Sequence, residues 1–193
     1  MNRILLITLS LAFVAFISGT ASAEDSGIRI EAHGGIGLPT FDIADVAEIG
    51  PGGGVGFWYS PVDARWTVGA EADFGVHGGK DIDVAGQTTT GPDVNVYHVM
   101  GKAGYFVYDK PDSKIQFAVN AGVGMVMFDV DAPGADMESY MAINAGGKLF
   151  YELSPMIDFV VSLQGDISFT DEDVMGTDNA WVWPLAVGVS FKL

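Results

Sequence analysis

From residue 28 onward, apolar side chains recur at every second position, and the three-to-four spacing of an amphipathic helix is hard to find. This period of two predicts eight strands, near 28–38, 53–59, 66–76, 94–107, 115–127, 141–151, 157–169 and 181–193. One face of each is apolar, as in Ile115, Phe117, Val119, Ala121, Val123, Met125 and Met127, or Trp181, Trp183, Leu185, Val187, Val189, Phe191 and Leu193. The other face holds glycine, alanine and serine with scattered charges, as in Arg29, Glu31, His33, Gly35 and Gly37. Pro184 removes a ladder hydrogen bond from the last strand, which is tolerable near a rim.

Connections alternate in length. Ser60 to Ala64, Asp109 to Lys114 and Ser154-Pro155 are short and carry turn residues. Pro39 to Gly52, His77 to Asp93, Asp129 to Glu138 and Thr170 to Ala180 are longer. Short periplasmic turns alternating with long external loops are expected of an outer-membrane barrel with an even strand count. The fold class expected is therefore all-β, an eight-stranded antiparallel up-and-down transmembrane barrel.

Alternation alone does not say which face points outward, and a soluble lipocalin-like barrel would turn its apolar set inward around a ligand. Three features favour outward. The small-residue face suits a lumen just wide enough for side chains. Tyr59, Trp66, Tyr97, Tyr105, Tyr151, Phe169, Trp181 and Phe191 fall near strand ends like two interfacial girdles. The last predicted strand also has no flanking helix after it.

Ahead of the strands, Arg3, the apolar stretch Ile4 to Ile17 and Ala21-Ser22-Ala23 form the pattern of a cleaved export signal. The expected organisation is a signal peptide over 1–23 and a barrel over 24–193 in the outer membrane. A retained anchor fits less well, because the apolar stretch is short for a span of about 20 residues. There is no cysteine, so packing or a membrane must hold the fold. The chain is 49% hydrophobic yet carries a formal charge of -16. A membrane barrel reconciles these, with apolar residues spread over alternating strands and charge gathered in loops and lumen. Such an acidic chain is a poor partner for nucleic acid, which needs clustered Lys and Arg.

Two stretches then carry a resemblance. Gly52-Gly53-Gly54-Val55-Gly56-Phe57-Trp58-Tyr59 and Asn144-Ala145-Gly146-Gly147-Lys148-Leu149-Phe150-Tyr151-Glu152-Leu153 are glycine-rich strands running through aromatic residues into Ser-Pro turns. They resemble the small eight-stranded outer-membrane barrels of the OmpA/OmpX type, within the outer membrane protein β-barrel domain family. The closing residues Val187, Val189, Phe191 and Leu193 resemble the signal read by the barrel-assembly machinery, which usually ends on Phe where this chain has Leu193. The resemblance implies architecture more than activity, since the family includes adhesins, envelope anchors and proteins of no known role.

The candidate site is the lumen. Arg29, Glu31, Glu71, Asp73, Lys102, Asn120, Asn144, Lys148, Gln164 and Asp166 should point inward, and buried ions there must pair or hold water. A pair-filled plug is the expected arrangement, and a gated pore or proton path the alternative. The long loops are acidic: Asp42, Asp45 and Glu48; Asp81, Asp83 and Asp93; Asp129, Asp131, Asp136 and Glu138; Asp171, Glu172, Asp173 and Asp178. They could take Ca²⁺ or Mg²⁺, or bridge to lipopolysaccharide through divalent cations, but none has EF-hand spacing. Neither a metal nor a cofactor site is assigned.

Catalysis is not expected. His33, His77 and His98 sit outside any recognisable nucleophile motif, and no His follows His98 where the outer-membrane lipid A deacylases carry theirs. Pro51 to Gly56 lacks the Gly-Lys-Ser/Thr of a phosphate loop. The expected protein is a monomer with a structural or surface-interaction role, in envelope integrity or adhesion. A small porin-like channel is the alternative, and a lipid A-modifying enzyme the third.

Overall fold

The computed structural model describes residues 27–61, 63–84, 87–110, 112–171 and 178–193, so the expected export segment lies outside the described residues. Eight strands close a barrel: β1 (Ile28–Thr40), β2 (Gly50–Tyr59), β3 (Trp66–His77), β6 (Val94–Asp109), β7 (Ile115–Val130), β8 (Glu138–Ser154), β9 (Ile157–Phe169) and β10 (Asn179–Lys192). A two-stranded hairpin, β4 (Asp81–Val84) with β5 (Gln87–Thr90), stands apart in the connection from β3 to β6. Each barrel strand pairs antiparallel with its neighbours along the chain, and β1 pairs with β10 to close the ring. Closure satisfies the backbone without a free edge, which a strand-built protein needs in lipid.

All eight barrel strands lie where the period of two predicts them, and the apolar faces point outward. Val55, Phe57, Val68, Val99, Val119, Val123, Ile143, Leu163 and Val187 are exposed, while the alternate positions turn inward. Tyr59, Trp66, Tyr105 and Tyr151 crowd the short-turn end, and Tyr97 and Phe169 are exposed toward the other end. A β-bulge between Phe106 and Tyr108 lets Val107 and Tyr108 both face outward.

The longer connections hold more structure than their sequences suggest. A 3-10 helical turn, Phe41–Asp45, follows β1, and its first residue takes a left-handed φ of 58°. That turn drops Ile43 and Ala47 into the barrel mouth, where both are buried against Val96, Met100, Val126 and Phe128. Hydrogen bonds from Glu48 N–H to the Gly78 carbonyl and from Lys80 N–H to the Val46 carbonyl tie it to the next loop. β7 and β8 run on through Asp129 and Glu138, positions that read as loop in the sequence.

The lumen is also less uniformly small and polar than the sequence implies. Phe106, Ala118, Phe150 and Val160 form a buried apolar layer toward the short turns. Val96, Met100, Val126, Phe128, Ala142 and Ala180 form another beneath the mouth. Period two assigns these positions to the inner face, but hydrophobic type alone does not separate a lumen layer from a lipid-facing one.

Pro184 interrupts one ladder only. It pairs with Gly37 of β1, whereas pairing with β9 passes from Val182–Asp166 directly to Leu185–Leu163. Register is the same on both sides of the gap, so the loss is local.

Candidate functional site

Alternation sends one side chain of every two into the lumen, and closure brings distant strands face to face across it. Lys148 of β8 is the centre of the polar layer. Its Nζ lies 2.5 Å from Glu31 Oε2 of β1 and 2.7 Å from Glu71 Oε2 of β3. Lys102 of β6 reaches the other Glu71 oxygen at 2.9 Å. All four are buried, and Lys148 also stands 4.6 Å above the Trp58 ring. Buried ions are sustained only by such partners: the carboxylates would otherwise carry the full cost of lost hydration.

Toward the short turns, Arg29 lies over the neighbouring rings of Phe106 and Phe150, at 5.3 and 5.1 Å. Its guanidinium donates to Asp158 at 3.0 Å and to Gln116 at 2.9 Å. Lys192 reaches Asp158 at 2.9 Å and Glu152 at 3.6 Å. Above the Lys148 layer, His33 Nε2 contacts Asp73 Oδ1 at 2.5 Å. His98 Nδ1 lies 3.0 Å from Asp166 Oδ2, close but off the line of a hydrogen bond, and Asn144 donates to Asp166.

Of the ten residues chosen from the sequence, eight are buried in the lumen, and Arg29 and Asp73 are partly so. The structure joins Glu31, Glu71, Lys102 and Lys148 in one cluster, links Asn144 with Asp166, and sets Gln164 on Ser162 at 2.9 Å. Arg29 and Asp73 pair outside that choice, with Asp158 and His33. Asn120 is brought to none of them. Its amide and Trp58 Nε1 face a cavity of about 10 Å³, room for one water, lined also by Thr67, Lys148 and Phe150. His33, Trp58, Gln116, Asp158 and Lys192 were legible as inward by alternation, but nothing in the chain marks which inward residue meets which.

Fold also assembles a set that spacing along the chain does not suggest. One ligand atom each from His33, Glu71 and Asp73 lie within 4.8 Å of one another. At the mouth, His77 Nδ1 meets the Glu48 carbonyl oxygen at 2.9 Å, and Lys80 Nζ donates to the Ala44 carbonyl. Among the loop acids, Glu172, Asp173 and the side chains of Asp42 and Asp83 lie outside the described residues. Val187, Val189 and Phe191 lie on the outward side of β10, and Leu193 follows its end.

The closed eight-strand ring has counterparts among solved structures. It is similar to Neisserial surface protein A, with a TM-score of 0.66 and 15% identity over 88% of this chain and 99% of that one. It is likewise similar to the outer membrane protein OprG from Pseudomonas aeruginosa, with a TM-score of 0.60 and 15% identity over 90% and 99% of the two chains. The chain has the fold of the small outer-membrane barrels. A major outer membrane protein from Thermus thermophilus shares it too, with a TM-score of 0.59 and 15% identity over 85% of this chain and 98% of that one. No protein-family model matches the chain, and no curated protein matches it. At 15% identity the shared property is the small-barrel architecture.

Proposed function

We propose that this protein is a monomeric outer-membrane barrel with a structural or surface-interaction role, its lumen plugged by its own side chains. One observation carries the reading: Lys148 is buried between Glu31 and Glu71, bridging β8 to β1 and β3 across the lumen. Apolar layers on either side of that ion cluster support it. An ion crossing such a lumen would have to break buried pairs that leave charges uncompensated, at several kcal/mol each. Function then falls to the exterior. The apolar surface meets outer-membrane lipid, the acidic loops meet lipopolysaccharide through divalent cations or a surface partner, and the end of β10 meets the assembly machinery.

Single molecules reconstituted in planar bilayers should show no discrete conductance steps. Reproducible steps from the refolded monomer would replace the plug with a channel. Lipid A that changes mass when the gene is expressed would replace both with an enzyme.

A further inference from the structure

Charge in the middle of the lumen does not balance through the contacts described. Glu31, Glu71, Asp73 and Asp166 share that region with two ammonium groups, Lys102 and Lys148, both of which are spent on Glu31 and Glu71. Asp73 and Asp166 instead face imidazoles. At one point an imidazole nitrogen and two carboxylates converge, in His33, Glu71 and Asp73. That point is also reachable. Asp73 keeps 21% of its side-chain surface and His33 10%, and a Cβ on Gly54 would fall 2.1 Å from Asp73 Oδ1. Glycine at position 54 therefore lets the Asp73 carboxylate lie against the β2 backbone, where any other residue would displace it from the site.

We propose that His33, Glu71 and Asp73 form a lumenal site for a divalent transition-metal ion of the zinc class. Imidazole nitrogen with carboxylate oxygen is a donor set that such ions accept. Ligands of a tetrahedral site with these bond lengths stand about 3.4 Å apart. The ion parts His33 from Asp73 slightly and draws Glu71 inward. Glu71 need not release its lysines, because a carboxylate offers about four lone-pair sites. Positive charge arrives beside Asp73, to which the contacts described bring no ammonium group, and the ion cross-links β1 to β3 inside the wall. The site is independent of the proposed role: conductance decides the plug, and metal uptake decides the site.

The test uses the full mature barrel refolded in detergent micelles and stripped with chelator, with Zn²⁺ and Cu²⁺ as probes. Acidic loops will also collect cations, so the informative signal is the part that depends on His33. Cu²⁺ should show nitrogen coupling in its electron paramagnetic resonance spectrum. His33→Gln should remove that coupling, and Asp73→Asn should weaken the tightest Zn²⁺ site about tenfold or more. His77→Gln should leave both unchanged. Folding of each variant is read from heat-modifiable gel migration. If the variants do not fold, Zn²⁺ protection of His33 from diethyl pyrocarbonate in the wild type, read by mass spectrometry, decides instead. Nitrogen coupling that survives His33→Gln, Zn²⁺ affinity indifferent to both variants, or an unprotected His33 would overturn the site.

Discussion

At the scale of single residues, Lys148 is the side chain on which most of the interior depends. Replacing it with methionine keeps most of the unbranched stem but leaves Glu31 and one oxygen of Glu71 buried without a cation. Lys148→Met should cost roughly 3–5 kcal/mol in urea unfolding of the barrel in phospholipid vesicles. The double variant with Glu31→Gln should recover part of that loss, because one orphaned charge is removed along with its partner. A cost below about 1 kcal/mol, the range of exposed pairs, would mean the cluster is solvated and the plug is not dry. The sequence placed all four members of this cluster on inward faces, since alternation assigns a side chain to a face without any knowledge of its neighbours. Pairing was not legible. Lys148 and Glu31 stand 117 residues apart, and only the stagger with which the ring closes brings them to the same level. Asp158 and Lys192 were inward on the same rule, yet their role in holding Arg29 and Glu152 depends on that stagger as well.

Individual elements tell a similar story. Eight strands could be read because an outward apolar face and an inward lumen face impose period two on every one of them. The β4–β5 hairpin could not, since its two strands are four residues each and pair apart from the barrel sheet, so Asp81 to Val84 alternates over too short a run to register. The 3-10 turn at Phe41–Asp45 is too short for periodicity to register, and strand ends such as Asp129 and Glu138 are polar because they extend past the apolar band. Pro184 is the one breach inside a strand that the sequence flagged. Its missing N–H coincides with the gap in the β9–β10 ladder, and just beside it the Trp183 ring lies over Gly165, where a Cβ would sit 2.8 Å from the ring. Pro184→Ala should restore one hydrogen bond and raise the unfolding free energy in urea by up to about 1 kcal/mol. Gly165→Ala should lower it, by displacing that ring. A fall for Pro184→Ala would show that Trp183 needs the proline-set bend to reach Gly165.

Viewed whole, the molecule is electrostatically lopsided. Arg65, Lys110, Lys114 and Lys192 belong to the short-turn end, whereas the long-loop acids named above have Lys80 as their cation among the described residues. A surface of one sign repels an anionic glycolipid layer until divalent ions intervene. Melting temperature in lipopolysaccharide-containing micelles should therefore rise with Ca²⁺ and fall back with chelator. Indifference to both would remove the divalent bridge from the proposed role. The cross-lumen pairs have another consequence, for how the chain reaches its native state. Glu31 and Arg29 of the first strand find their partners 117 and 129 residues later, in β8 and β9. Early strands can join Glu71 to Lys102 but leave Glu31 and Arg29 without these partners, so a half-formed barrel holds naked ions as well as open edges. Such an intermediate has little to stabilise it, and folding should be slow, concerted and completed only when the last strands arrive.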